Sequence, residues 1–321
     1  MAQPRPEDFG YKHLQTTYKE LPVDILILSK KGDEHKRKPL FLFIQGSLPI
    51  PLLILDKAGK PYFVFVFKAD SLLNQYHLAI IGKPGVPVIC PDSVLAKDYH
   101  YSDPVTGLMP ETYQQYNYIT YLAERDKEIL KFLRRQDFAA NEKVVIAGHS
   151  EGGTVAAKLA TISTDVAKLI YASENPFGRI MTEIDQERIG DVAGVKTEAR
   201  FKDWQRIVSK PNDVSEKKGD TYKGTYQSSI PPIEYLKKIK IPVLVTYGTK
   251  DYAGKYNDYL RLEMIRLHKK NFTFKSYAGL DHNYFSLKPD GSINYDVFNW
   301  DKVVLDWQDW LNGKTELHHV Q

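Results

Sequence analysis

Apolar positions fall into short blocks separated by polar, Gly- and Pro-containing segments, and their period changes along the chain. Runs at 11–17, 21–29 and 39–44 have the length and the β-branched or aromatic content of strands. A second apolar pair, 52–55 and 62–67, flanks Asp56-Lys57-Ala58-Gly59-Lys60-Pro61, which predicts a hairpin. Short buried runs follow at 76–81 and 86–89, around Gly82-Lys83-Pro84-Gly85. Residues 113–135 change to helical spacing through Ile119, Leu122, Ile129 and Leu133. Three more runs, 143–147, 167–172 and 241–248, read as buried strands, and 272–277 alternates like another. A closing helix is predicted at 301–311, carrying Val303, Val304, Trp307 and Trp310.

The segment 179–240 breaks this rhythm. It is rich in Lys, Glu and Asp, with amphipathic stretches at 180–189 and 199–208 and a polar linker at 210–221. It reads as an inserted helical cap, with a long disordered loop as the alternative. A cap would act as a lid that excludes water and shapes a pocket. The main body is then 1–178 with 241–321.

The run at 143–147 leads into Gly148-His149-Ser150-Glu151-Gly152 and then into the small residues Gly153-Thr154-Val155-Ala156-Ala157. A Gly-x-Ser-x-Gly pentad between a strand and a small-residue helix has the form of a nucleophile elbow. The serine must stand on a sharp, strained turn with its hydroxyl exposed, and flanking glycines avoid clashes there.

A serine hydroxyl needs a histidine to take its proton, and the imidazole needs a carboxylate to fix its tautomer. The buried run Ile241-Pro242-Val243-Leu244-Val245-Thr246-Tyr247-Gly248 is followed closely by Asp251. His282 lies on the loop Ala278-Gly279-Leu280-Asp281-His282-Asn283, after the run at 272–277. Glu174, just past the run at 167–172, is the rival acid. Asp281 is disfavoured because neighbouring loop residues seldom aim at one point. His149 sits inside the elbow and cannot reach its neighbour's hydroxyl.

Strand–GHSEGG–helix, then IPVLVTYGTKD, then GLDHN resembles the α/β-hydrolase superfamily, nearest its esterase and prolyl-oligopeptidase-like branches. The resemblance runs from about Leu21 to Leu311, with 179–240 matching by position only. It implies an α/β fold with a mostly parallel central sheet flanked by helices and an inserted helical cap. It also implies an oxyanion hole of two backbone N–H groups, worth a few kcal/mol of barrier. One is Glu151, the residue after the nucleophile. The other comes from the loop after 39–44, where many members have His-Gly; here Gln45-Gly46-Ser47 stands, and the matching donor is Ser47.

Composition bounds the rest. A chain of 321 residues, 42% of them hydrophobic, can bury one large core plus an accessory piece. The net charge of +4 is too small to argue for nucleic acid. The cluster Lys30-Lys31 with Lys36-Arg37-Lys38 surrounds Gly32-Asp33 and reads as a solvated turn. A single cysteine, Cys90, excludes an internal disulfide and leaves the compartment open. No run reaches the roughly 18 apolar residues of a membrane span, and the amino terminus lacks the apolar stretch of a signal peptide. A soluble protein is expected, cytoplasmic or exported after loss of a leader.

Tyr99, Tyr101, Tyr113, Tyr116, Tyr118 and Tyr121 form a run that could line a pocket or fill half-buried surface. Asp98 and Asp103, and His318-His319 near the end, lack the companions of a metal site. The chemistry expected is hydrolysis of a small-molecule ester or acyl substrate by Ser150, His282 and Asp251, without a cofactor. A peptidase or thioesterase would use the same three residues. A binding protein that keeps the fold without the chemistry is the remaining alternative. An apolar acyl pocket is expected from Leu53, Phe63, Phe65 and Phe67 of the hairpin with Ile180, Ile184, Trp204 and Ile207 of the cap.

Overall fold

The computed structural model describes residues 4–62, 64–96, 98–216 and 219–314; Phe63 and His318-His319 lie outside them. The chain opens with β1 (Tyr11–Tyr18) and β2 (Leu21–Leu28), an antiparallel hairpin, followed by β3 (Leu40–Ile44). Next come β4 (Leu53–Leu55), β5 (Pro61–Tyr62), α1 (Asp70–Leu73), β6 (His77–Ile81) and β7 (Ile89–Pro91). Helices α2 (Glu111–Tyr116) and α3 (Ile119–Arg134) lead to β8 (Val144–His149), α4 (Glu151–Ile162) and β9 (Val166–Ala172). Three helices follow: α5 (Arg179–Arg188), α6 (Val195–Ser209) and α7 (Tyr222–Ser228). After α8 (Ile233–Leu236) come β10 (Val243–Gly248), α9 (Gly254–Arg266) and β11 (Phe272–Tyr277). The hairpin β12 (Phe285–Leu287) and β13 (Ile293–Phe298) precedes the closing α10 (Trp300–Leu311).

Eight strands form one sheet in the order β1-β2-β6-β3-β8-β9-β10-β11. Only β2 runs antiparallel to its neighbours in it. A parallel sheet covered on both faces needs strands that are apolar throughout, and β3, β8 and β10 are buried at every position. Period-two alternation divides those side chains between two cores. Leu40, Leu42 and Ile44 face a cluster with Ile129, Leu133, Val155 and Leu260, on the side of α3, α4 and α9. Phe41 and Phe43 face the other, with Leu53, Phe67, Trp300 and Trp307. Trp307 is fully buried, with the rings of Phe67 and Trp300 at 5.8 and 5.9 Å. Trp307→Ala is expected to cost about 3–5 kcal/mol. Urea unfolding checks it, as a lower midpoint at unchanged slope.

Three sequence expectations change. The hairpin after β3 turns where expected, with Asp56 Oδ1 accepting the N–H groups of Ala58 and Lys60, each at 2.8 Å. Its second arm is only β5, however, and β4 also pairs parallel with β7. Residues 64–67 leave the sheet, and Val64, Phe65 and Phe67 enter the core. The single helix expected at 113–135 is two, broken at Asn117 and Tyr118, which have non-helical backbone. The segment expected as a helical cap at 179–240 does carry three helices, at 179–188, 195–209 and 222–228, but it is shorter at its end, since Ile233, Leu236 and Ile239 already belong to the sheet core. Among the described residues no helix is long and apolar enough to cross a membrane.

Candidate active site

The carboxyl ends of β3, β8, β9, β10 and β11 lie along one edge of the sheet, where open α/β sheets bind ligands. β8 stops at His149, α4 starts at Glu151, and Ser150 makes the whole turn between them. Its φ is 55° and its ψ −138°, a conformation that costs a non-glycine residue about 1–3 kcal/mol. Its N–H donates to the Ala172 carbonyl at 3.0 Å, and its own carbonyl accepts from Gly153 at 2.7 Å. Gly152 permits the tight approach to β3: a Cβ there would stand 2.2 Å from the Ile44 carbonyl oxygen.

Asp251 follows β10 in the turn before α9, buried, with Oδ1 accepting the Ala253 N–H at 3.0 Å. Its Oδ2 is 2.9 Å from His282 Nδ1. An ionised carboxylate only accepts, so this contact assigns the proton to Nδ1 and leaves the Nε2 lone pair free. Asp281 is occupied in shaping the loop: its Oδ1 accepts the N–H groups of Asn283 at 2.9 Å and Phe285 at 2.8 Å. Burial alone would lower the His282 pKa. The Asp251 bond and charge, with Glu174 and Asp281 nearby, outweigh it and raise the value above the usual imidazole range.

His149 has a part that its place inside the elbow did not reveal. Its Nε2–H donates to the His282 carbonyl at 3.0 Å, and its ring packs edge-on to Trp300 at 4.9 Å. Burial first, then the neighbouring His282, pushes its pKa down to about 3, so the ring is neutral at physiological pH. The loop that carries His282 is thereby held from β8 as well as from Asp251.

The loop 45–47 passes over the elbow, and a Cβ on Gly46 would touch Ser150 Cβ at 3.4 Å. The Ser47 carbonyl accepts a hydrogen bond from Tyr113 OH. That hydroxyl accepts from Asn117 Nδ2 at 3.0 Å, and buried Lys83 donates to Asn117 Oδ1 at 3.0 Å. Glu151 is the first residue of α4, so its N–H has no acceptor within the helix. The tyrosine run thus divides. Tyr113 anchors the loop, Tyr116, Tyr118 and Tyr121 pack on one another, and none of the six lines the cavity described next.

A cavity of about 330 Å³ opens over Ser150. Ser47, Glu151, Glu174, Asp251 and His282 line it from the sheet edge, with Arg179, Thr182, Glu183 and Gln186 from α5. Those four positions have the spacing of one helix face, and the face is polar. Arg179 pairs with Asp220 at 2.7 Å, Glu183 at 3.3 Å and Glu151 at 3.7 Å. Among the described residues, none of the side chains expected to form an apolar wall lines the cavity. Leu53, Phe65 and Phe67 are core residues, Ile180, Ile184 and Ile207 are buried, and Trp204 stacks on Tyr226 at 5.9 Å. The apolar stripe of α5 packs inward, which leaves its polar stripe over the cavity.

No family model matches the chain, and no curated protein matches it. Solved structures do. A 2,6-dihydroxy-pseudo-oxynicotine hydrolase superposes with a TM-score of 0.56 at 14% identity, over 97% of this chain and 71% of that one. The chain has the α/β-hydrolase fold. Est1E from Butyrivibrio proteoclasticus, with ferulic acid bound, gives a TM-score of 0.53 at 16% identity, over 84% of this chain and 91% of Est1E. An acylaminoacyl peptidase from Pyrococcus horikoshii gives 0.53 at 15%, over 85% of this chain. This chain spans 37%, 42% and 32% of the length of two acylaminoacyl peptidases and the Porphyromonas gingivalis dipeptidyl peptidase 4. At these identities the likeness is one of fold.

Proposed function

We propose that the protein is a serine hydrolase that cleaves a carboxylic ester through an acyl-enzyme on Ser150. The observation that carries this reading is the Asp251–His282 contact of 2.9 Å in a cavity shared with the strained Ser150. His282 Nε2 takes the hydroxyl proton as Ser150 Oγ bonds to the carbonyl carbon and the C=O electron pair moves onto oxygen. The N–H groups of Glu151 and Ser47 hold that oxygen. Collapse expels the alcohol, which leaves with the proton from His282. Water then repeats the sequence on the acyl-enzyme and releases the acid. Asp251 keeps the imidazole in its working tautomer and supports its charge. Helices α5 to α7, from 179 to 228, form a lid over the site.

Turnover of nitrophenyl esters, with the matching anilide and thioester, tests the proposal. Saturable hydrolysis that favours the ester is expected; no saturable hydrolysis of any acyl probe would contradict it.

The pH profile carries a sign. Neutral His282 is the active form, and its pKa is raised, so activity is lost as pH falls through that raised value. The acid limb of kcat/KM should have its midpoint above the ordinary imidazole value of about 6.5. A midpoint at or below it would contradict the coupling to Asp251. His149 is a positioning residue in this scheme. His149→Leu removes the donor to the His282 carbonyl and should lower kcat by about ten- to a hundredfold. KM should change much less, which a purely destabilising effect on the cavity would not produce.

A further inference from the structure

We infer that the substrate carries a basic amine on its acyl portion and that Glu174 is the group that holds it. The inference rests on the reading of Ser150 as nucleophile. It begins from the charges around the cavity. Four carboxyl groups line it, those of Glu151, Glu174, Glu183 and Asp251, and Arg179 is its one Lys or Arg among the described lining residues. The Arg179 guanidinium is already committed to Glu151, Glu183 and Asp220. Asp251 is committed to His282. A substrate carboxylate or phosphate would therefore meet surplus negative charge and no uncommitted guanidinium or ammonium group.

Glu174 is the carboxyl left over. It is 7% exposed, lines the cavity beside Ser150 and His282, and forms no ion pair among the described residues. Its place is built rather than incidental. Its Cβ lies 2.8 Å from where a Cβ on Gly153 would stand, so the glycine after the pentad makes room for it. Its carbonyl accepts from the fully buried Asn257 Nδ2 at 3.1 Å, which fixes the backbone behind it. Ionising a buried carboxyl without a cation is costly, and a ligand that supplies the cation offsets that cost.

The titration of Glu174 fits the same partner. Burial first, then the charge of Glu151, pushes it up to about 8, against the opposing pull of His282 and the Asn175 N–H. Amino groups next to a carbonyl titrate near the same value, about 7.7–8.0. Carboxyl and amine then share one proton between them, whichever brings it. The polar face of α5 stands over the cavity where Ile180, Ile184 and Ile207 were expected, which favours a polar group on the acyl portion of the substrate.

L-Norvaline methyl ester, methyl 2-hydroxypentanoate and methyl pentanoate share one acyl chain and differ at a single substituent. Calorimetric titration of Ser150→Ala protein with each reads binding without turnover. The amine-bearing ester should bind about tenfold tighter or more than either of the others. Adding Glu174→Gln should abolish that difference. Equal affinities, tightest binding of methyl pentanoate, or an amine preference that survives Glu174→Gln would overturn the inference. Should the double variant fail to fold, the ranking of the three ligands by Ser150→Ala protein still decides. Turnover of the same esters by the unaltered protein tests the hydrolase reading separately. An amine preference in binding without hydrolysis would contradict that reading and leave the ligand class standing.

Discussion

Ser150→Ala should lower ester turnover by about a millionfold, the scale seen when a serine nucleophile is removed from an intact triad. The loss is expected without unfolding, because alanine differs from serine at this turn only by the hydroxyl. Ser150 donates and accepts backbone hydrogen bonds with Ala172 and Gly153, and neither involves its side chain. Thermal melting should therefore change little while activity disappears into the background. Activity within a few-fold of the unaltered protein would mean that the strained turn is not chemical. The fold would then serve binding alone.

Asp251→Asn should cost about ten-thousandfold, because an amide beside Nδ1 presents the imidazole in the wrong tautomer. The same change removes the group that raises the His282 pKa, so the acid limb of the pH profile should move down. Glu174→Gln should cost far less on the same simple ester. It removes no bond to His282, whose Nδ1–H donates to Asp251. If Glu174→Gln were the more damaging of the two, the acid would belong at the end of β9 instead of β10.

Much of this site is legible in the sequence because the fold makes position depend on strand ends. A buried strand announces itself as an apolar run, and the residue just past it must lie on the sheet edge. That reasoning points to Asp251 and His282, the pentad points to Ser150, and Ser47 is named only through the resemblance to α/β-hydrolases. The support of the site is not legible in the same way. Tyr113 reaches Ser47 across 66 positions of chain and Lys83 reaches Asn117 across 34, with no local pattern to mark them. A tyrosine-rich run marks the neighbourhood but does not distinguish Tyr113, tied to the loop, from Tyr121, buried among other rings.

The pocket lining was misread for a related reason. Apolar side chains in an insertion carry the same signature whether they face a ligand or the core, and Phe65 and Phe67 went to the core. The amphipathic stripe of α5 shows that one face is buried, not which face sees the cavity. The polar residues at 179, 182, 183 and 186 were visible as one helix face, and only the packing of Ile180 and Ile184 inward gives that face its meaning. Gly153 was similar: a glycine beyond the pentad is unexplained by the turn and is explained by Glu174.

A serine-reactive fluorophosphonate, followed by mapping of the modified peptide, reports whether Ser150 carries an activated hydroxyl and needs no knowledge of the substrate. One label is expected on each folded chain, located on Ser150, lost on unfolding and lost in Ser150→Ala. An unlabelled folded protein, a label on some other serine, or equal labelling of the unfolded chain would contradict it.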